Sequence, residues 1–408
     1  MPRVLLILPS ATYRAPDFVD AATRLGAEVV VGSEHRQALS ESMGDRAITL
    51  SLRNPEMAAD QIEQLDRRAP LDAIVAVDDG GTRAAAVASE RLGLRGNDPD
   101  AVARARDKAA MREALDAADV PQPEYRTAPV GADVGDLAED VGLPCVVKPL
   151  TLSGSRGVIR ADSADGARAA EVRIRSILAE AGEDPDADLL VERFVPGPEV
   201  AVEALLDGGR LELLAVFDKP DPLDGPYFEE TIYVTPSRLP GAAIREVEEA
   251  TDAAAAAIGL TEGPVHAELR VDPEGGVTVL ELAARSIGGL CSRSLRFGLG
   301  VSLEDVILRH ALGLPPSHMR REDLASGVMM LPIARAGVLH EVRGQEAARA
   351  VPGVAGLEIS IAPGRPVQPL PEGDRYLGFL FAKATTPEQV EEALRQAQAL
   401  LEVEIGED

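Results

Sequence analysis

The sequence predicts an α/β and α+β chain, with a doubly wound parallel-sheet domain first, antiparallel sheets in the middle and a small α+β unit last. Three observations carry that prediction. Residues 3–100 alternate strand-like and helix-like stretches, the pattern of a parallel sheet wound with helices. From Leu189 onward, apolar and β-branched stretches follow one another across Pro-Gly corners, as antiparallel neighbours do. After Leu314-Pro315-Pro316, strands and a long helix begin again as a final unit. At 408 residues the chain has room for two or three domains and a substantial core.

Apolar periodicity places the elements in order. Strands are expected at 4–8, 28–31 and 73–77, alternating with helices at 17–25, 55–68 and 82–92. The opening strand runs into Pro9-Ser10-Ala11 rather than GxGxxG, so the dinucleotide fingerprint is missing. A helix at 107–118 leads through Pro121 and Pro123 to a strand at 145–148, a Gly/Ser loop and a helix at 164–181. An acidic, exposed linker at 183–188 follows. Strands at 189–191, 199–206 and 211–217 flank the Pro196-Gly197-Pro198 turn, an Ala-rich helix spans 241–258, and a hairpin pairs 265–271 with 277–282. The last unit holds strands at 327–333, 338–342 and 377–384 and a helix at 387–401.

Composition excludes some partners. A net charge of -27 argues against nucleic acid and anionic membrane surfaces, both of which reward basic patches. No charged-then-apolar leader and no bilayer-length apolar run is present, so a cytoplasmic location is expected. Cys145 and Cys291 stand far apart without CxxC or His companions, as reduced core residues do. Of 41 basic residues only Lys108, Lys148, Lys219 and Lys383 are lysines. Arg being the default cation here, Lys108 and Lys148 become candidates for a compact charge against phosphate.

The hairpin carries the sharpest chemistry. Pro273, Glu274, Gly275 and Gly276 read as a four-residue loop, which pairs Asp272 with Val277 and therefore Glu268 with Glu281. Opposed side chains lie about 5 Å apart, and two carboxylates there repel by roughly 3 kcal/mol at an effective dielectric of about 20. A raised pKa on one carboxyl relieves this, and so does a bridging divalent ion; with oxygen ligands alone, magnesium or manganese suits the pair better than zinc. An odd-length loop would instead send the two Glu to opposite faces.

Residues 151–157, after the strand ending in Lys148, are small, hydroxylated or Gly, so their N–H groups can converge on phosphate oxygens. GxxxxGK[ST] is absent, and a flexible surface loop is the bland alternative. The stretch Leu190 to Val200 reads as a hinge whose exposed backbone suits an adenine edge, with Glu199 placed for ribose hydroxyls; alone, Glu192 and Glu199 would be solvated strand-end acids.

In order, Asp107-Lys108, Val147-Lys148-Pro149 with its loop, Val191 to Glu199, and Glu268 with Glu281 resemble the ATP-grasp superfamily over residues 1–310. A nearer likeness is to the bacilysin-type L-amino acid ligases, which join two amino acids at the expense of ATP. It rests on Gly263-Pro264-Val265-His266-Ala267-Glu268 and on Glu281 to Gly289, with Ala283 where many ATP-grasp enzymes carry Asn. The resemblance implies an ATP-grasp fold divided as 1–105 (N-terminal domain), 106–190 (lid), 191–314 (large subdomain) and 315–408 (C-terminal domain).

For the site, it implies ATP held by Lys108, Lys148, Ser153, Gly154, Ser155, Glu192, Phe194, Val195 and Glu199. Two magnesium ions, with manganese as alternative, would sit on Glu268 and Glu281, and Lys148 and Arg285 would be catalytic, Arg285 at the oxyanion. Substrate residues would be Glu230, Tyr233 (in place of a family His), His266, Arg285, Gly288 and Gly289. Gly289 replaces a bulky aromatic, which implies room for a larger side chain. Lys219 is expected near substrate or paired with Asp218, and Arg293 and Arg296, on a helix after Gly289, near a substrate carboxylate or solvated.

The expected activity is amide formation between a carboxylate, an amino acid, and an amine through an acyl phosphate. The partners are small molecules, with a homodimer as default for the scaffold. A biotin-carboxylase-like or purine-pathway ligase, and a non-catalytic nucleotide-binding module, are the alternatives.

Overall fold

The computed structural model describes residues 1–9, 12–36, 44–272, 275–298, 300–315 and 319–407. Ser10, Ala11, Pro273, Glu274 and Pro316, which the sequence reading used as turn or boundary residues, lie outside them. The first part holds β1 (Arg3–Ile7), α1 (Ala15–Arg24), β2 (Glu28–Ser33), β3 (Ala47–Thr49), α2 (Pro55–Asp66), β4 (Ala73–Ala76) and α3 (Asp79–Leu92). Its four strands form a parallel sheet in the order β3-β2-β1-β4. Val4, Leu5, Leu6 and Ile7 are all fully buried because helices cover both faces, which is why β1 reads as an unbroken apolar run rather than an alternation.

Two helices follow, α4 (Pro99–Arg106) and α5 (Lys108–Ala117). The extended backbone of Asp107 ends the first, and its carboxylate caps the second through the Ala109 and Ala110 N–H groups. The first of these helices was absent from the sequence reading. The part expected as the lid carries β5 (Tyr125–Ala128), α6 (Val134–Val141), β6 (Cys145–Pro149), β7 (Ile159–Ala161), α7 (Ala164–Glu180) and β8 (Leu189–Arg193), its antiparallel sheet ordered β5-β8-β6-β7.

The remaining elements are β9 (Glu199–Asp207), β10 (Arg210–Lys219), β11 (Ile232–Thr235), α8 (Gly241–Ile258), β12 (Glu262–Val271), β13 (Val277–Ala283), α9 (Leu303–Ala311), β14 (Ala325–Leu331), β15 (Gly337–Arg343), α10 (Gln345–Arg349), β16 (Val354–Ile359), β17 (Pro366–Val367), β18 (Gly378–Ala384), α11 (Pro387–Gln398) and β19 (Glu402–Gly406). One eight-stranded antiparallel sheet runs β13-β12-β9-β10-β11-β14-β18-β16. It crosses residue 315 without a break, because β11 pairs directly with β14, Ile232 opposite Met329. The last unit is therefore continuous with the strands that carry the acidic hairpin. No helix among the described residues is long and apolar enough to cross a membrane.

The hairpin reaches the expected Glu pair by an unexpected route. Near the turn Val271 pairs with Val277, so five residues rather than four are left over, the odd-length case. A β-bulge then inserts Leu280 on the second strand, and the register recovers, with Glu268 opposite Glu281. The loop shift and the bulge cancel.

Candidate active site

One cavity of about 420 Å³ lies where the N-terminal sheet, the lid, the acidic hairpin and the C-terminal strands meet, and, apart from Lys219, Arg293 and Arg296, the sequence-predicted site residues line it. β6 supplies Lys148, and the following loop supplies Ser153, Gly154 and Ser155. β8 and its exit supply Glu192, Phe194 and Val195, and β9 begins with Glu199. Glu230 and Tyr233 come from the segment entering β11, His266 and Glu268 from β12, Glu281 from β13, and Arg285, Gly288 and Gly289 from the turn after it. Lys108 opens α5. Sequence reasoning missed Thr12, Tyr13, Asp78 and Asp79 of the first domain and Asp374 and Tyr376 of the last.

The paired carboxylates are relieved by a third route beyond the two foreseen, since each has its own ammonium. Lys219 Nζ lies 3.4 Å from Glu268, and Lys108 Nζ lies 3.4 Å from Glu281. Lys219 also touches Glu199 at 2.6 Å and Glu230 at 2.7 Å, which makes it the centre of an acidic cage rather than a partner of Asp218. Asp218, next along the strand and so facing the opposite way, binds Arg238 at 2.7 Å. Burial raises the Glu230 carboxyl, and neighbouring Glu268 adds to this. Burial opposes ionisation of Glu268 too, but Lys219 and His266 outweigh it and hold that carboxyl well below its ordinary value. Glu268 is thus the more readily ionised of the two.

His266 bridges Glu203, 2.6 Å from Nδ1, and Glu268, 3.5 Å from Nε2. Burial alone would lower the imidazole, yet the two carboxylates push it up to about 9. Glu203, completely buried, also accepts the Ile287 N–H at 3.0 Å and so fixes the turn that presents Arg285 and Gly288. Arg285 Nε sits 3.0 Å from Asp79 at the start of α3. Burial would raise Asp79, but Arg285 and Arg106 take it down to about 2.

The phosphate-side features are two. Lys108 Nζ donates to the Leu152 carbonyl at 2.8 Å, tying α5 to the Gly/Ser loop. Gly154 and Ser155 both have left-handed backbone, at φ +67° and +56°, and among the described residues no protein acceptor claims the N–H of Ser153, Gly154 or Ser155. Lys148 is held at 2.6 Å by Glu192, whose other oxygen takes Arg112 Nε at 2.6 Å. Burial lowers the lysine, and Glu192 offsets part of this; burial opposes Glu192's ionisation, and the two cations more than reverse it. Glu192 positions Lys148 rather than facing solvent.

Arg112, wholly buried, reaches further, donating from Nη2 to the Leu280 carbonyl that the bulge frees from its ladder. One guanidinium thereby joins the bulge beneath Glu281 to the hinge beneath Lys148. Arg112→Ala is expected to cost about 3 kcal/mol in chemical denaturation, as removal of one member of a buried ion pair does. A loss under about 1 kcal/mol would show that the bridge is dispensable.

At the hinge the Phe194 N–H is taken by the Pro144 carbonyl at 2.9 Å, whereas no backbone partner claims the Val195 N–H among the described residues. Glu199 pairs with Arg270 at 2.9 Å as well as with Lys219. Arg293 and Arg296 do not reach the cavity. The expected helix is a short 3₁₀ turn, Cys291–Ser294; Arg293 binds Asp17 at 2.9 Å, and Arg296 donates to the Leu295 carbonyl at 2.6 Å. Gly289 does not open the pocket as expected. A Cβ there would lie 2.8 Å from the Phe379 ring, and φ is +58°, so an aromatic from β18 already fills the room, whereas Gly288 faces open space.

Comparison with known proteins finds likenesses along most of the chain. Residues 19–96 match an ATP-grasp N-terminal domain, 141–294 an ATP-grasp domain and 329–406 an L-amino acid ligase C-terminal domain. An uncharacterized protein of Sinorhizobium fredii is 28% identical over 304 residues, 74% of this chain and 62% of that protein. An alanine–anticapsin ligase of Bacillus subtilis is 28% identical over 239 residues, 55% of this chain and 50% of that enzyme. The chain thus matches about half to three fifths of the length of these curated relatives. An L-amino acid ligase of Bacillus licheniformis superposes with a TM-score of 0.83 at 24% identity, covering 100% of this chain and 99% of that one. The chain has an ATP-grasp fold, with its N-terminal domain, central ATP-grasp and C-terminal domain in that order. Within that class its sequence is similar to an alanine–anticapsin ligase, and its last part matches the L-amino acid ligase C-terminal domain.

Proposed function

We propose that the chain is an ATP-dependent carboxylate–amine ligase that joins an L-amino acid to a second amino acid or other amine, releasing ADP and phosphate. The observation that carries this is the meeting, in one cavity, of two opposed carboxylates, two buried lysines, a loop with unclaimed N–H groups and a fixed arginine. The donor set fits a hard cation, since Glu268 and Glu281 offer only oxygen, and each is now neutralised by a lysine that a metal ion would replace. Magnesium bound there, two ions or manganese in their stead, would cancel phosphate charge.

Lys108 and Lys148 would face the nucleotide phosphates under the Ser153, Gly154 and Ser155 N–H groups. Phe194 and Val195 would line the adenine slot, with the Val195 N–H meeting the base, Glu199 would meet the ribose, and Glu192 would hold Lys148 in place. Glu230, with Tyr233, would take the donor ammonium, His266 would hold Glu268 in place, and Gly288 would border the donor side chain. The donor carboxylate oxygen attacks the γ-phosphorus as ADP leaves, giving an acyl phosphate. The amine nitrogen then adds to the acyl carbon beside Arg285, the C–O bond breaks and phosphate departs. Holding the reactants together and dry is most of what the protein does. The parts would divide at 105/106, 190/191 and 314/315.

ADP release measured over pairs of amino acids, with mass detection of products, tests the proposal. A condensed product with stoichiometric ADP is expected. Nucleotide binding without ADP release over the whole panel would overturn it in favour of a binding module, and bicarbonate-dependent release in favour of a carboxylase.

A further inference from the structure

We propose that residues 371–376 of the C-terminal unit form a strap that couples closure of the lid to completion of the amino-acid pocket, with Glu372 as a positioning residue. One end of this segment grips the lid. The Pro371 carbonyl accepts the Gly157 N–H at 3.0 Å, at the end of the Gly/Ser loop. Glu372 takes Arg173 of α7 in a forked pair, Nε to Oε1 at 2.5 Å and Nη2 to Oε2 at 3.0 Å. The same guanidinium lies over the Tyr227 ring at 5.0 Å, which ties in the segment carrying Glu230. Asp374 lies 4.0 Å from Arg156 of the loop itself.

The other end builds the pocket. Tyr376 donates to Glu230 at 3.4 Å, and its ring meets Phe379 edge-on at 5.9 Å, the residue that fills the space over Gly289. Phe379 in turn meets Tyr13 of the first domain at 5.4 Å. The strap between the two ends is tight. The Gly373 N–H closes onto the Pro369 carbonyl at 2.8 Å, and a Cβ at Gly373 would lie 2.1 Å from the Gln368 oxygen, so no side chain fits there. Its exit is pinned to the eight-stranded sheet by the Leu377 N–H on the Leu331 carbonyl at 3.0 Å. A turn this constrained transmits displacement, so opening of the lid draws Tyr376 away from Glu230 and shutting it returns the ring.

The proposal rests on the ligase function above for its consequence. An acyl phosphate is destroyed when water adds to its acyl carbon, the C–O bond breaks, and carboxylate, phosphate and a proton result. A strap that shuts the pocket only with the lid closed confines that intermediate until the amine arrives. Each contact is modest, because forked pairs at half-exposed sites are weak singly. Their effect is on occupancy of the closed state rather than on folding.

Glu372→Ala and the charge exchange Glu372→Arg with Arg173→Glu test it in the full-length protein. Hydrogen exchange in the ligand-free protein reads the lid without reference to any substrate. The Gly157 and Arg160 amides, whose acceptors are the Pro371 and Pro226 carbonyls, are expected to exchange about fivefold or more faster in Glu372→Ala and to recover in the exchanged pair. With magnesium, ATP and a mixture of the common amino acids as probe, ADP formed per condensed product is expected to rise at least twofold in Glu372→Ala and to return in the exchanged pair. Unchanged exchange in a folded Glu372→Ala protein overturns the coupling. So does a product ratio equal to that of the parent. Absence of any condensed product in the parent protein would instead sink the ligase function, leaving the exchange measurement to decide the strap.

Discussion

Glu281→Gln is expected to slow ADP release about a thousandfold, some 4 kcal/mol of barrier, while changing folding stability by less than about 1 kcal/mol. The two magnitudes separate because the carboxylate's local partners are few. Among the described residues Glu281 pairs with Lys108 alone, at 3.4 Å, and its side chain is a third exposed. Lys108 keeps its bond to the Leu152 carbonyl when Glu281 is neutralised. An amide of the same shape also leaves the Glu268–Glu281 register and the bulge untouched, and it removes one like-charge neighbour from Glu268. Stability therefore has little to lose. Catalysis as proposed would lose half of the anionic pair assigned to the metal, and a neutral amide oxygen is a poor substitute for a carboxylate toward a divalent ion. Steady-state ADP release at saturating magnesium, with thermal unfolding of the same preparation, checks both halves. A variant within tenfold of the parent would show that Glu281 does not hold the metal.

How much of this site could be read from residues alone depends on the separation of the groups involved. Glu268 and Glu281 belong to one hairpin, and the Gly/Ser loop follows Lys148 directly, so local pattern was enough to single them out. The loop length was misjudged by one residue, and a bulge that no propensity announces corrected the error. Arg112 could not be singled out. It lies among ordinary helical residues, and its worth comes from Glu192 and Leu280, brought to it across 80 and 168 positions. Phe379 over Gly289 is a contact of the same long-range kind. Asp78 and Asp79 were within reach, because they close the carboxyl end of a parallel strand, where such sheets bind ligands.

Arg285→Ala is expected to reduce amide formation by a few hundredfold, about 3 kcal/mol, as loss of one donor at a developing oxyanion does. Folding stands on other contacts. Asp79, the partner left behind, retains Arg106 at 3.4 Å, and Lys108 is near enough to help keep it ionised. The turn that carries position 285 is held independently by Glu203 on the Ile287 N–H and by Arg14 on the Ser286 hydroxyl at 2.7 Å. Removal of the guanidinium thus opens no gap in the backbone scaffold. The residual cost is an acid pair, Asp78 and Asp79, with one cation fewer, which sets an upper limit of about 2 kcal/mol on destabilisation. Arg285→Lys refines the test, since a lysine keeps the charge but not the planar fork that binds Asp79 and would at the same time reach the proposed acyl oxygen. It should recover less than a tenth of the lost rate. The KM for ATP should move little in either variant, because in the proposed arrangement Lys108, Lys148 and the loop amides, not Arg285, would meet the phosphates. A large rise in that KM with an unchanged turnover number would move Arg285 from the acyl centre to the nucleotide, and the proposed order of roles in the cavity would fall with it.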